Sequence, residues 1–229
     1  MKNNMHVVAL IPLRGGSKGI PDKNIKEMCG KPLFYWSIFA AVNASFIDDV
    51  YVSTDSEKIK KLVVALFPQV KIIDRPNSLA EDESSTEDVI NHFAKLINFD
   101  VNVTIQATSP LIRSNDLDLA LLQYFEKYHD SLLSVVQSKR FFWDKLASPI
   151  NYDYRNRPRR QDFEGIWMEN GAFYITSKKL LTQEGCRLGG SIGMYEMGEE
   201  TSYEIDTITD WKVVEMLLEE YLNIVDQDK

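Results

Sequence analysis

The chain has 229 residues, 44% of them apolar and 26% charged, with a net charge of −8. That length suits one substantial α/β domain with room for a small insertion, and so acidic a balance argues against a general nucleic-acid binder, whose affinity comes from many Lys and Arg contacts to phosphate. A membrane span, a secretory leader and a disulfide framework are all unexpected: no apolar run reaches the roughly 18 residues a bilayer crossing needs, Met1–Ala9 has neither a basic start nor a cleavage site, and Cys29 and Cys186 are the only cysteines. A cytoplasmic protein with reduced thiols is the expectation.

In chain order, His6–Ile11 reads as a buried strand ended by Pro12 and a glycine-rich turn. Pro32 opens a helix to about Ala44, since Pro at the first helical position forfeits no hydrogen bond. Val50–Val52 is a second strand, and Ser56 caps a helix to Leu66. Val70–Ile73 forms a third strand, followed by a helix over 84–97 and the strand Val101–Ile105. Ser114 then caps a helix to Tyr128, ahead of the strand Leu132–Val136. Nearly continuous apolar strands alternating with helices predict a mostly parallel sheet covered on both faces, a three-layer α/β fold.

The alternation breaks over 138–167, where Phe141, Phe142, Trp143, Tyr152, Tyr154 and Trp167 are interleaved with Arg140, Arg155, Arg157, Arg159 and Arg160. Such composition suits an oligomer interface better than nucleic-acid stacking on so acidic a chain. The segment is therefore expected to be a dimerisation insertion in a single domain spanning 1–229, and the protein a homodimer. The sheet resumes at Gly171–Ile175, and an amphipathic helix over 209–223 closes the pattern. In an open α/β sheet the ligand sits beyond the carboxyl ends of the strands. The loops at 12–24, 53–55, 106–113 and 168–171 should thus converge on one site.

Charge is unevenly placed. Residues 1–31 carry a balance of +4 and the remaining chain −12, a local basic cluster suited to a small polyanion such as a nucleoside triphosphate. Its centre is Pro12-Leu13-Arg14-Gly15-Gly16-Ser17-Lys18-Gly19-Ile20-Pro21-Asp22-Lys23-Asn24. A glycine-rich loop after a strand brings backbone N–H groups close to a ligand, and Arg14, Lys18 and Lys23 can face a triphosphate together. The loop is neither a Walker P-loop, because Gly19 is followed by Ile20-Pro21, nor a G-x-G-x-x-G turn. His6, His92 and His129 share no metal-ligand spacing, and no G-x-S-x-G elbow supports a serine hydrolase.

The order of residues in this loop resembles the signature R-x-x-S-K-x-[IL]-x-x-K-N of the N-acylneuraminate cytidylyltransferase family, met at Arg14, Ser17, Lys18, Ile20, Lys23 and Asn24. Further similarities follow in family order: Val52-Ser53-Thr54-Asp55, Arg75-Pro76 with Leu79-Ala80 and Ser84-Ser85-Thr86, Gln106-Ala107-Thr108-Ser109-Pro110, Arg160-Gln161, Asn170-Gly171-Ala172-Phe173-Tyr174, and Glu204-Ile205-Asp206. The resemblance implies a Rossmann-like sheet of the nucleotide-diphospho-sugar transferase type. It also implies a reaction in which the anomeric hydroxyl of a free nine-carbon acidic sugar attacks the α-phosphate of CTP and pyrophosphate leaves. Such a reaction needs an aligned nucleophile and cations on the developing charge.

By the same resemblance, Arg14, Ser17 and Asn24 should contact the nucleotide, Lys18 and Lys23 the departing phosphates, and Arg75 and Thr86 the region of the cytosine. Gln106, Ser109, Asn170 and Tyr174 should line the sugar pocket. Arg160 and Gln161 should reach the sugar too, in some members from the neighbouring subunit. Glu204 and Asp206, read as i and i+2 of a strand and so on one face, form the expected metal pair for Mg²⁺, with Mn²⁺ as an alternative; Mg²⁺ takes one or two carboxylates plus substrate phosphates. The family pattern is Asp-x-Asp, so Glu204 departs from it and Asp206 is the firmer ligand. Met168-Glu169 departs as well, where some relatives place Arg, which leaves the group that binds the sugar carboxylate open.

Sialic acid leads among substrates. Lys18 and Asn24 contrast with the S-T-R-L-P-G-K-P loop of Kdo enzymes, and Gly19 stands where pseudaminate enzymes often have Arg. Legionaminate and the deaminated sugar KDN remain alternatives. A metal-dependent glycosyltransferase would be expected to show Asp-x-Asp where Gln106-Ala107-Thr108 stands. A non-catalytic sugar-nucleotide-binding protein would have no reason to keep Arg14, Lys18 and Lys23 together.

Overall fold

The computed structural model describes residues 4–227, and side chains through 223. Met1–Asn3, including the basic Lys2, lie outside the described residues. Seven strands form the main sheet in the order β5-β4-β1-β6-β8-β7-β9. They are β1 (Val7–Pro12), β4 (Asp49–Thr54), β5 (Lys71–Asp74), β6 (Val101–Ile105), β7 (Ser131–Ser138), β8 (Ile166–Ser177) and β9 (Ile192–Met197). β2 (Glu27–Met28) and β3 (Lys31–Pro32) make a separate two-stranded hairpin.

β1 pairs in parallel with β4 and β6, and β4 with β5, so these four strands end on one edge. β8 runs antiparallel to both β6 and β7. It therefore delivers its residues near 170 to the edge where the parallel strands finish. β7 and β9, neither of which touches the central parallel group, pair in parallel. Gly171 has φ of +67°, in the left-handed region glycine adopts without a Cβ penalty. The facing strand shifts register between Leu133 and Val135, and this kink turns β8 as it reaches the edge.

Helices cover both faces: α1 (Leu33–Val42), α2 (Glu57–Leu66), α3 (Thr86–Leu96), α4 (Ser114–Glu126), α5 (Lys178–Glu184) and α6 (Ile208–Gln227). Val7, Ala9 and Ile11 of β1 bury against α1 and α4, whereas Val8 and Leu10 bury against α3 and Leu181 of α5. Both faces of the strand are thus apolar, which is the physical reason it reads as a continuous hydrophobic run.

The expected helices and sheet strands are present with shifts at their ends, and only the strand read at 204–206 is missing. Pro32 lies just outside α1 because it is spent on the hairpin with Glu27. Ser85, not Ser84, caps α3, in a reciprocal box with Asp88. Ser114 is the first residue of α4 rather than its cap, and Asp116 instead accepts the Arg113 N–H. The stretch 204–206, read as a strand, joins no sheet. It is an irregular segment tied to the site by the Ile205 N–H, which donates to the Thr108 carbonyl. α5 and β9 had no sequence reading: α5 is seven residues long, and β9 is an edge strand with exposed Ile192 and Met194. No helix among the described residues is long and apolar enough to cross a membrane.

Candidate active site

The loop after β1 is held open by its own backbone and by neighbours. Asp55, just past β4, accepts the Gly15 N–H at 2.9 Å, and the Asn24 side chain donates to the Arg14 carbonyl at 2.9 Å. Ile20 is fully buried in a cluster with Met28, Leu33, Ile205 and Trp211 of α6, so an apolar anchor fastens the basic loop to the acidic 204–206 segment. Gly19 lies against that segment, and a Cβ there would sit 2.6 Å from the Asp206 carbonyl oxygen. Only glycine admits this approach.

A cleft of about 280 Å³ opens above the strand ends. Arg14, Ser17, Lys23 and Asn24 form one wall, Arg75, Ser85 and Thr86 another, and Gln106 and Thr108 the floor beyond β6. Seven of the candidate site residues, Arg14, Ser17, Lys23, Asn24, Arg75, Thr86 and Gln106, thus come together from positions spread between 14 and 106.

The cations are poised but not idle. Arg14 donates to Asp82 Oδ1 at 3.1 Å, and Lys18 Nζ lies 2.5 Å from Asp82 Oδ2. The Lys18 hydrogen bond is the main reason the Asp82 carboxyl is held below its ordinary range. Lys23 Nζ donates to the Ile205 carbonyl at 2.6 Å and to Asp206 at 3.4 Å. Arg75 is only 7% exposed and donates to the Ser53 hydroxyl and carbonyl. Burial lowers it to about 10, while the charge of Asp55 pulls the other way. It remains a cation at neutral pH.

Asp206 lies beside Lys23, and Glu204 beside Thr108, at the edge of the cleft. Thr108 donates to Glu204 Oε1 at 3.1 Å, and the other oxygen lies 3.1 Å from where a Gly171 Cβ would stand. Burial, and then the charge of Asp206, raise the Glu204 carboxyl above its usual range. Two carboxylates that strain each other in this way suit a hard divalent cation completed by phosphate oxygens. Among the described residues no group of three or more His, Cys, Asp and Glu side chains forms a closed metal site, so a cation here would depend on its phosphate partner.

Other expected residues lie elsewhere. Ser109 is buried, its hydroxyl without a hydrogen-bond partner, and is not on the cleft wall. Asn170 is also buried, and its amide is spent on Thr201, so it holds the segment around 201 rather than facing the cleft. Tyr174 lies below the edge with its hydroxyl on Glu169 and its ring under the Arg187 guanidinium, 4.3 Å away. Burial and the Glu169 hydrogen bond push its phenol far up. Arg160 faces Glu199 at 3.7 Å and Gln161 lines a different hollow beside Trp167, so neither reaches the cleft of its own chain. Asp55, Asp82 and Arg187 had no sequence-based role. Asp55 closes the quoted Val-Ser-Thr-Asp motif, whereas the other two carry no local pattern.

A family model described as Cytidylyltransferase matches residues 8–229. The chain belongs to the cytidylyltransferase family. Its sequence is 41% identical over 222 residues to N-acylneuraminate cytidylyltransferase A of Danio rerio, covering 93% of this chain and 51% of that protein. It is 29% identical over 225 residues to the N-acylneuraminate cytidylyltransferase of Streptococcus agalactiae serotype III, covering 90% and 52%. This cytidylyltransferase-family chain spans about half the length of those curated relatives. In fold it is similar to a CMP:2-keto-3-deoxy-manno-octonic acid synthetase solved with CTP, with a TM-score of 0.72 at 19% identity, over 94% of this chain and 99% of that one. The expected α/β nucleotidyltransferase architecture is therefore the observed one.

Proposed function

We propose that the chain is a CMP-sialic acid synthetase: it transfers CMP from CTP to the anomeric hydroxyl of a free, N-acetylneuraminate-like nonulosonic acid and releases pyrophosphate. The observation that carries this reading is that Arg14 and Lys23 line one cleft, Lys18 meets it through Asp82, and Asp206 and Glu204 lie beside it against Lys23 and Thr108. A triphosphate fits against these cations, and the acidic pair faces the place where its inner phosphate would lie.

In this arrangement Arg14, with Ser17 beside it, holds the phosphate chain, and Lys18 and Lys23 take the charge that grows on pyrophosphate as it leaves. Arg75 and Thr86 bound the wall assigned to the cytidine. Gln106 on the floor orients the sugar, so that its hydroxyl stands in line with the α-phosphate. Asp206, with Glu204, would hold Mg²⁺ or Mn²⁺, which supplies neutralising charge to the phosphates when bound.

The aromatic and Arg-rich segment 138–167 supports a homodimer in which Arg160 or Gln161 enters the partner's cleft, since neither residue reaches its own. A cytoplasmic location is part of the same reading, because CTP is an intracellular nucleotide. The test incubates the protein with CTP, Mg²⁺ and a panel of nonulosonic acids, with Kdo and sugar phosphates as controls. Pyrophosphate should appear with sialic acid above the others. Release confined to legionaminate, pseudaminate, KDN or Kdo would move the assignment to that sugar, and silence with every acid would end it.

A further inference from the structure

Arg187 is the cation that the sequence motifs do not explain. It follows α5, and its carbonyl accepts the Thr176 hydroxyl of β8 at 2.6 Å, which fixes it to the sheet. Its guanidinium stacks over the Tyr174 ring at 4.3 Å, and its Nε lies 3.3 Å from Glu87 in the first turn of α3. The neighbouring helix residue, Thr86, is part of the cleft wall. On the other side its charge acts on Glu204, which reaches the cleft floor through Thr108. Arg187 thus stands behind the cleft, against Glu87 beside the Thr86 wall and near enough to Glu204 for its charge to act there. Its Nη1 is buried and has no hydrogen-bond partner.

A guanidinium whose Nη1 is buried with an empty donor is costly, because the lost hydration is not replaced. Here the surroundings hold it in place: Tyr174 packs its face, and the Tyr174 hydroxyl is occupied by Glu169. We propose that Arg187 is a specificity-determining residue that binds an acceptor oxygen of the incoming acid sugar, either its carboxylate or an acyl carbonyl, through the unfilled edge of its guanidinium. The proposal rests on the acidic-sugar reading above. It also offers a cation for the sugar where Met168-Glu169 supplies none.

The test compares wild type, R187M and R187K. Steady-state pyrophosphate release gives the KM for the sugar, calorimetry gives the Kd for CTP, and melting reports the fold. R187M should raise the sugar KM at least tenfold and leave the Kd for CTP within twofold, and R187K should recover part of the loss because it keeps charge but not the fork. A merely structural role would lower the melting temperature and weaken CTP and sugar alike. Two sugars separate the acceptors, one bearing an acylamino group and its deaminated counterpart. An equal defect with both assigns the carboxylate, and a defect confined to the first assigns the acyl carbonyl. A sugar KM unchanged in R187M overturns the proposal; if R187M does not fold, an unchanged KM in R187K does so. Wild type that binds CTP but turns over no acid sugar would instead remove the functional reading beneath it.

Discussion

Lys23 is the cation with the most defined surroundings, bonded to the Ile205 carbonyl and beside Asp206. In the proposed reaction its charge is needed most as pyrophosphate departs, so Lys23→Ala should lower kcat by about 10²–10³-fold while changing the sugar KM little, read by initial rates at saturating CTP. Asp82 acts in the opposite sense. It holds Arg14 and Lys18 where a triphosphate would, so the nucleotide must displace a built-in carboxylate. Asp82→Asn should tighten CTP by about two- to fivefold, the size of an exposed ion pair, in a calorimetric titration. Cys29 shows burial at work away from the site. Burial, followed by the charges of Glu219 and Glu215, pushes its thiol up to about 11. At pH 8 its alkylation in the folded chain should be roughly a hundredfold slower than that of a free thiol, as followed by mass spectrometry. Between pH 9 and about 11 the unfolded chain sheds this proton first, so stability falls as pH rises through that window.

At the scale of elements, the segment between β7 and β8 packs largely on itself. Phe141 meets Tyr152 at 4.1 Å, and Arg157 lies 4.5 Å over Phe141. It nevertheless presents Trp143 at 47%, Leu146 at 86% and Ile150 at 62% exposure, apolar side chains that an interface would cover. Replacing Leu146 and Ile150 together by Asp should convert a dimer to monomer in light scattering and lower turnover if Arg160 or Gln161 serves the partner. A fully active monomer of the wild-type chain would count against the interface. The basic loop and the 204–206 segment illustrate a different coupling: Gly19, Ile20 and Lys23 all contact residues 205–206, so elements some 180 positions apart are packed together.

At the scale of the molecule, the site depends on a sheet buried on both faces. Phe93 of α3 is fully buried, stacked on Phe99 at 5.3 Å and edge-on to Tyr51. Phe93→Ala should cost about 3–5 kcal/mol of stability in urea unfolding, and Thr86 at the head of the same helix ties that core to the cleft. Much of this was legible in the residues. Apolar runs marked the central strands because both their faces are covered, and the loop 12–24 stood out as a glycine- and cation-rich turn because such residues must lie close in sequence to shape one loop. The edge strand β9 and the short α5 were not legible: an edge strand half in water has no continuous apolar run, and seven residues are too few for a helical period to stand out.

The local chemistry was therefore the sequence's to determine: which strands are buried, where the glycine-rich basic loop lies, and that an acidic pair stands at 204 and 206, since each is written within a few consecutive positions. Tertiary structure alone decided that Asn170 and Ser109 turn inward, that Asp82 occupies the anion grip, and that Arg187 arrives beside Tyr174. Those outcomes depend on the antiparallel return of β8 and on contacts between residues scores of positions apart, and no short-range pattern records the direction in which a strand comes back.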